Sequence, residues 1–235
     1  MTTLHILSGG AAQGLVRTCA PAFEAQHKLQ IAGTFGAVGA MKAKLLAGEP
    51  CDILILTHAM IDELVASGHA QAATVHDVGI VKTGVAVKTG QAHPDVSDAD
   101  ALRSVLRQAS GIYFPDPELA TAGIHFMKVL TGLGIVDEVR DRLRTFPNGA
   151  TAMKAMADCD DPKVVGCTQV TEILITPGVD LVADLPQAFE LATVYTAAVT
   201  TASPHAAQAA ALIAELISPA RAVDRKAGGF LPLPT

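Results

Sequence analysis

Short apolar runs alternate with amphipathic segments from the first residues of the chain. Leu4–Leu7 and Leu29–Phe35 are apolar runs of strand length, and Asp52–Leu56 carries a continuous aliphatic run of the kind that parallel sheets bury on both faces. Between them, apolar residues recur at steps of three and four in Ala12–Gln26 and Gly39–Ala47, which predicts two helices. This βαβαβ opening favours a parallel sheet with right-handed crossovers and helices on both faces.

The rest of the chain continues the alternation of strands and helices. The other predicted strands are Gly79–Lys88, Gly111–Phe114, Lys163–Cys167, Val179–Val182 and Leu191–Val199. The other predicted helices are His58–Ser67, Asp98–Gln108, Thr121–Leu133, Val136–Leu143, Ala150–Ala157 and Pro204–Leu216. We therefore predict an α/β protein with two lobes, each a mostly parallel sheet flanked by helices. Lobe 1 is expected over residues 1–80 and 200–235 and lobe 2 over residues 81–199, with hinges near 80–88 and 191–199.

Composition and charge exclude several classes of protein. Half of the 235 residues are hydrophobic and only 17 % are charged, which excludes a disordered chain. The net charge of −6 leaves no basic excess to neutralise phosphates, so nucleic acid is not expected as a partner. No apolar run approaches the roughly 20 residues that span a bilayer, so no membrane insertion is expected.

Glycines and hydroxyl-bearing residues follow several of the predicted strands. In open α/β sheets, ligands bind outside the carboxyl ends of the strands, where helix N-termini offer unpaired N–H groups and partial positive charge. A chain of net charge −6 can thus hold an anion without a basic side chain. The expected ligand-binding residues are Ser8, Gly9, Gly10, Ala37, Val38, Gly39, Thr57, His58, Thr121, Thr168 and Gln169.

These positions also have structural interpretations. His58 is placed to start a helix with its ring in solvent, and Asp116 is placed to cap backbone N–H groups after a strand. His125 fits an ordinary helix face, whereas Glu172, one turn after Thr168, is a further candidate for the site.

Four segments carry a resemblance that covers nearly the whole chain: Ser8–Leu15, Lys42–Ile55, Asp116–Gly123 and Ala222–Phe230. In these segments the chain resembles the molybdate-binding type of periplasmic substrate-binding protein, which has the type II two-lobed fold. The resemblance implies a small-molecule anion held between lobes that close by a hinge. It also implies an ABC permease as partner, provided that the protein is exported.

The loops depart from that family's pattern of donors. Gly10 stands where the family has a first-loop serine, Ala37, Val38 and Gly39 replace a serine-rich second loop, and Thr168 replaces a tyrosine. We therefore expect an organic di- or tricarboxylate as ligand, with a molybdate-type oxyanion receptor as an alternative.

One branch of the family resembles aconitate isomerase, which moves a double bond in an unsaturated tricarboxylate. Such a proton transfer requires a base, an acid and fixed donors for the developing charge. The tentative catalytic residues are His58 and Glu118. No metal-ligand spacing occurs, so neither a metal nor another cofactor is expected. The residues leave a binding protein and a cofactor-free isomerase both open.

The N-terminal sequence decides the expected compartment. It has no basic segment followed by an apolar one, so no secretory signal peptide is recognised. We therefore expect a cytoplasmic protein, and the alternative is a periplasmic protein whose leader has been removed.

Overall fold

The computed structural model describes residues 2–234, which form two compact units. Unit 1 comprises the described residues of Met1–Val81 and Thr193–Thr235, and unit 2 comprises Lys82–Ala192. Within residues 2–234, no helix combines the length and the apolar character that a membrane crossing requires.

The strands of unit 1 follow the order β2-β1-β3-β9, and β4 lies beside β9. Its elements are β1 (Thr2–Gly9), α1 (Gln13–His27), β2 (Leu29–Gly36), α2 (Val38–Leu46), β3 (Ile53–Thr57), α3 (His58–Ala66), the first part of β4 (His76–Lys88), β9 (Ala192–Val199), α9 (Ala206–Ile217) and α10 (Ala222–Ala227). Strand β1 is parallel to β2 and β3, as the βαβαβ pattern predicted, whereas β9 is antiparallel to β3. The central strands are buried because helices cover both faces, and Ile53, Leu54, Ile55 and Leu56 have no exposed surface.

Unit 2 contains a sheet of five strands. Its elements are the second part of β4, α4 (Ala99–Gln108), β5 (Gly111–Pro115), α5 (Thr121–Gly132), α6 (Val136–Val139), β6 (Leu143–Phe146), α7 (Gly149–Asp158), β7 (Val164–Gln169), α8 (Val170–Leu174) and β8 (Val179–Asp184). Strand β5 is parallel to β6 and β7, while β4 is antiparallel to β7 and β8. Both units are therefore α/β structures with mixed sheets, which confirms the predicted fold class.

Three elements differ from the sequence-based prediction. The predicted helix Val136–Leu143 stops at Val139, passes through a 3₁₀ turn and becomes strand β6, which pairs with β5 at the sheet edge. The burial of β6 does not alternate, so no strand period was visible. Helices α8 and α10 were also missed, because five- and six-residue helices are too short to show a helical period.

Short 3₁₀ turns complete the two units. They are Gly10–Ala12, Ala72–Thr74, Arg140–Arg142, Gln187–Phe189 and Pro219–Arg221. Helix α4 is capped by Asp98, whose carboxylate accepts hydrogen bonds from the backbone N–H of Asp100 and of Ala101.

Candidate functional site

The first three strand ends of unit 1 lie at one edge of its sheet. In the register of the strands, Gly9 is opposite Gly36 and Ser8 is opposite Ile55, two residues before Thr57. This edge therefore collects the predicted residues of unit 1, which are Ser8, Gly9, Gly10, Ala37, Val38, Gly39, Thr57 and His58.

Two helices start at this edge without a side-chain cap. Ala37 precedes α2 and Thr57 precedes α3, and neither contributes a capping side-chain hydrogen bond. The first turns of both helices carry no acidic residue. Their first N–H groups thus remain available to an anion.

Gly9 and Ser8 show how tightly this edge is packed. A Cβ atom on Gly9 would lie 2.8 Å from the Tyr195 ring and 2.9 Å from the Val38 side chain, so a larger residue would have to displace one of these side chains. The Ser8 hydroxyl is fully buried and donates a hydrogen bond of 2.8 Å to the Gly9 carbonyl oxygen. Ser8 therefore shapes the loop by holding the carbonyl group of Gly9.

His58 belongs to a hydrogen-bonded cluster at the start of α3. Its Nδ1 lies 2.9 Å from Asp77 Oδ1 and 3.1 Å from Thr196 Oγ1, and its Nε2 lies 3.5 Å from Asp62 Oδ2. The Thr196 hydroxyl donates to the same oxygen of Asp77. The hydrogen bond with Asp77 raises the pKa of His58. Its side chain is half exposed, so the ring is held in place and remains accessible.

In unit 2 the loop after β5 is organised by Asp116. Its Oδ1 accepts hydrogen bonds from the backbone N–H of Glu118 at 2.7 Å and of Leu119 at 2.9 Å, which is the capping role that the sequence predicts for Asp116. Glu118 itself is exposed, and Thr121 begins α5. His125 lies on α5, with Nε2 2.8 Å from the Phe189 carbonyl oxygen, which is the structural role considered for it.

The carboxylate of Glu172, on the short helix α8 that follows β7, is buried. The Thr168 hydroxyl donates a hydrogen bond of 2.6 Å to Glu172 Oε2, and Glu172 Oε1 accepts from the backbone N–H of Gly149 at 3.2 Å and of Ala150 at 3.4 Å. Glu172 is 4 % exposed. Burial raises the pKa of its carboxyl, and hydrogen bonds from Thr168 and from the backbone act in the opposite direction.

Gln169 differs from Thr168 because its amide is unsatisfied. The side chain is 3 % exposed, and neither its Oε1 nor its Nε2 has a hydrogen-bond partner among the described residues. The buried hydroxyls of Thr83 and Thr171 are in the same situation, and Thr83 pairs with Gln169 in the β4–β7 register. Buried polar groups are normally hydrogen-bonded, so these three side chains are the unsatisfied polar groups of unit 2 among the described residues.

The structure thus groups the predicted residues by unit. Those of unit 1 share one sheet edge. In unit 2, Thr168 and Gln169 are the last two residues of β7, and Thr121 is the first residue of α5, which follows β5. Sequence reasoning missed the backbone amides of Gly149 and Ala150, although Asn148, which caps α7, marks that helix start. Across residues 2–234, no group of three or more His, Cys, Asp or Glu side chains is arranged to hold a metal ion.

A cavity of about 770 Å³ lies in unit 1 at the opposite, amino ends of β1 and β3. His5, Asp52, His69 and His205 contribute to its wall. The Asp52 carboxylate is already used, since it accepts hydrogen bonds from the His5 backbone N–H and the Ser203 hydroxyl. None of the predicted ligand-binding residues is among those described as lining it.

Comparisons with known proteins agree with this architecture. A family profile described as bacterial extracellular solute-binding protein matches residues 4–228. An aconitate isomerase from Pseudomonas sp is 29 % identical over 244 residues, which cover all of this chain and 89 % of that protein. The periplasmic molybdate-binding protein of Azotobacter vinelandii superposes with a TM-score of 0.81 at 20 % identity, over 99 % of this chain and all of that one. The sulfate-binding protein of Mycobacterium tuberculosis gives 0.76 at 18 % identity, over 99 % of this chain and 88 % of that one.

Proposed function

Because the chain belongs to the family of bacterial extracellular solute-binding proteins, we propose that it binds a small organic anion, a di- or tricarboxylate. The residues proposed to bind the ligand lie in or next to loops that follow strands. The proposed site residues are those named from the sequence. Ser8 contributes by holding the Gly9 carbonyl group and Thr168 by holding the Glu172 carboxylate.

The observation that carries this proposal is the pair of uncapped helix starts in unit 1. The N–H groups at the starts of α2 and α3 lie at the same sheet edge as Gly9 and Gly10, with no acidic residue in either first turn. Each helix N-terminus carries about half a positive charge, which a ligand carboxylate complements. The similarity to an aconitate isomerase supports a carboxylate over an inorganic oxyanion.

A panel of ligands tests the proposal through the melting temperature. A ligand that binds only the native state raises the melting temperature, and one present at 100 times its Kd contributes about 2.7 kcal/mol. We expect saturable stabilisation by one or more di- or tricarboxylates, cis- and trans-aconitate included, and little by monocarboxylates of similar size. Differential scanning fluorimetry followed by calorimetry measures this. Stabilisation by molybdate or sulfate alone would contradict the proposal.

A second candidate function is isomerisation of an unsaturated carboxylate, which the full-length match to aconitate isomerase favours. In the tautomer that donates from Nδ1 to Asp77, His58 presents Nε2 as a base for a carbon-bound proton. One C–H bond of the ligand breaks, the double bond shifts, and a proton returns to the carbon at the other end of the allylic system. Glu118, the other tentative catalytic residue, lies exposed with its backbone N–H bonded to Asp116.

Exchange of ligand hydrogens in D₂O tests this second candidate. With wild-type protein we expect deuterium to enter the bound unsaturated acid. The variant His58→Gln keeps a polar side chain that can hydrogen-bond the ligand but has no basic nitrogen, so it is expected to slow that exchange by about 100-fold or more while ligand binding is weakened and not lost. His93→Gln, which changes an exposed histidine of unit 2, is the matched control. Absence of exchange in the wild type removes the isomerase and leaves the binding function standing.

We further propose that the protein is exported and works with a membrane permease. The family description is of extracellular proteins, which supports the periplasmic alternative over the cytoplasmic expectation from the N-terminal sequence. Co-purification with an ABC permease and its ATPase from the native host would test this partner.

A further inference from the structure

The ring of His58, the first residue of α3, is held by side chains from two other elements of unit 1. Its Nδ1 lies 2.9 Å from Oδ1 of Asp77, near the start of β4, and 3.1 Å from Oγ1 of Thr196, on β9. The Thr196 hydroxyl donates a hydrogen bond to the same oxygen of Asp77. The three side chains therefore form a closed triangle of hydrogen bonds around one nitrogen of the imidazole.

This triangle determines which ring nitrogen carries the proton. An ionised carboxylate only accepts hydrogen bonds, and the single hydroxyl proton of Thr196 is donated to Asp77. Both neighbours of the His58 Nδ1 thus face it with lone pairs. An unprotonated Nδ1 would bring its own lone pair to 2.9 Å from Asp77 Oδ1, which is repulsive. The neutral ring therefore carries its proton on Nδ1 and its lone pair on Nε2.

The other ring nitrogen is open to a ligand at the start of α3. The His58 Nε2 lies 3.5 Å from Asp62 Oδ2, which is longer than the usual hydrogen bond, and the Asp62 side chain is 63 % exposed. The charged groups that face the ring are Asp62, on the same helix, and Asp77, on β4, whereas β9 contributes the neutral Thr196. A ligand carboxylate bound by the first N–H groups of α3 would lie at the same helix start as this ring.

We propose that Asp77 and Thr196 are positioning residues: together they hold His58 in the Nδ1-protonated tautomer, so that Nε2 can take a proton from the ligand. This inference rests on the isomerase candidate of the proposed function. When Nε2 takes the proton, the electron pair of the broken C–H bond enters the allylic system, and the ring becomes an imidazolium that Asp77 stabilises. The proton then leaves Nε2 for the carbon at the other end of that system, which restores the neutral ring.

Asp77→Asn tests the positioning because it keeps the shape of the side chain and removes its negative charge. We expect the Nδ1-protonated tautomer to lose its dominance, the pKa of His58 to fall, and exchange of ligand hydrogens to slow by about 100-fold or more, with a lower kcat and a KM that changes little. Thr196→Val is expected to slow exchange by about tenfold, and Thr196→Ser, which keeps the hydroxyl, to restore it. Asp141→Asn, at an exposed position of unit 2, is the matched control for the loss of one charge.

Nitrogen-15 nuclear magnetic resonance of histidine-labelled protein reads the tautomer and the pKa of His58 independently of activity. A wild-type ring with its proton on Nε2 would overturn the inference, and so would an Asp77→Asn variant that keeps the wild-type pKa and exchange rate. If Asp77→Asn does not fold, the wild-type spectrum and the two Thr196 variants decide. Failure of the isomerase candidate looks different: the wild type then exchanges no ligand hydrogen although His58 is protonated on Nδ1.

Discussion

Replacing Gly123 with alanine is expected to destabilise unit 2 by about 3 kcal/mol, the upper end of the usual range for overpacking. A Cβ atom at this position would lie 2.1 Å from the Asp116 carbonyl oxygen and 2.3 Å from the Pro115 carbonyl oxygen. Both neighbours are backbone atoms of the β5–α5 connection, so neither can rotate away as a side chain would. Helix α5 must therefore shift relative to β5 or lose its first turn.

Gly132→Ala is the matched control, because it makes the same substitution on the same helix. There the new Cβ would meet only the Phe189 ring, at 3.0 Å, and that side chain can move. Alanine is also favoured over glycine in a helix by about 1 kcal/mol, so we expect a stability close to that of the wild type. Urea unfolding followed by circular dichroism measures both variants. Equal stability of the two would show that the Asp116 turn adapts freely to α5.

The elements that the sequence predicts well are those whose apolar residues directly reflect how the element is buried in the sheet. Residues Ile53–Leu56 form a continuous aliphatic run because helices cover both faces of β3, and the sequence shows this directly. Strand β6 gave no such signal, because an edge strand pairs with a single neighbour and its residues are partly exposed. The direction of β9 could not be predicted either, because its antiparallel pairing with β3 is a tertiary contact between segments that are far apart in the sequence.

The candidate site was predictable only where local sequence determines geometry. Loops that follow strands and precede helices, such as Gly36 to Val38, are local features. The hydrogen bond from the Gly149 backbone N–H to Glu172 joins two residues that are 23 positions apart in the sequence. It forms because β5 lies between β6 and β7 and is parallel to both. The absence of partners for the Gln169 amide among the described residues depends on every element around it. Neither feature has a sequence motif.

Gln169→Met is expected to separate ligand binding from stability. The Gln169 amide is buried without a partner among the described residues, and a buried polar group in that state costs about 1–3 kcal/mol. Methionine has a similar shape and no amide to desolvate, so the variant should be at least as stable as the wild type and up to about 1 kcal/mol more stable. If the amide is retained for the ligand, the same change should weaken ligand binding by about tenfold or more.

Gln71→Met, in unit 1, is the matched control, and we expect it to lower stability and leave ligand affinity unchanged. The Gln71 Nε2 donates a hydrogen bond of 2.9 Å to the Thr200 carbonyl oxygen, so this amide already has a partner within unit 1. Its replacement should lower the free energy of unfolding by about 1 kcal/mol and leave ligand affinity unchanged. Urea unfolding and calorimetry with the organic acid selected by the melting-temperature panel measure both quantities for both variants. A residue that is retained for ligand binding is expected to gain stability and lose affinity when its polar group is removed. A Gln169→Met protein that loses stability and keeps its affinity would therefore show that Gln169 has a structural role only.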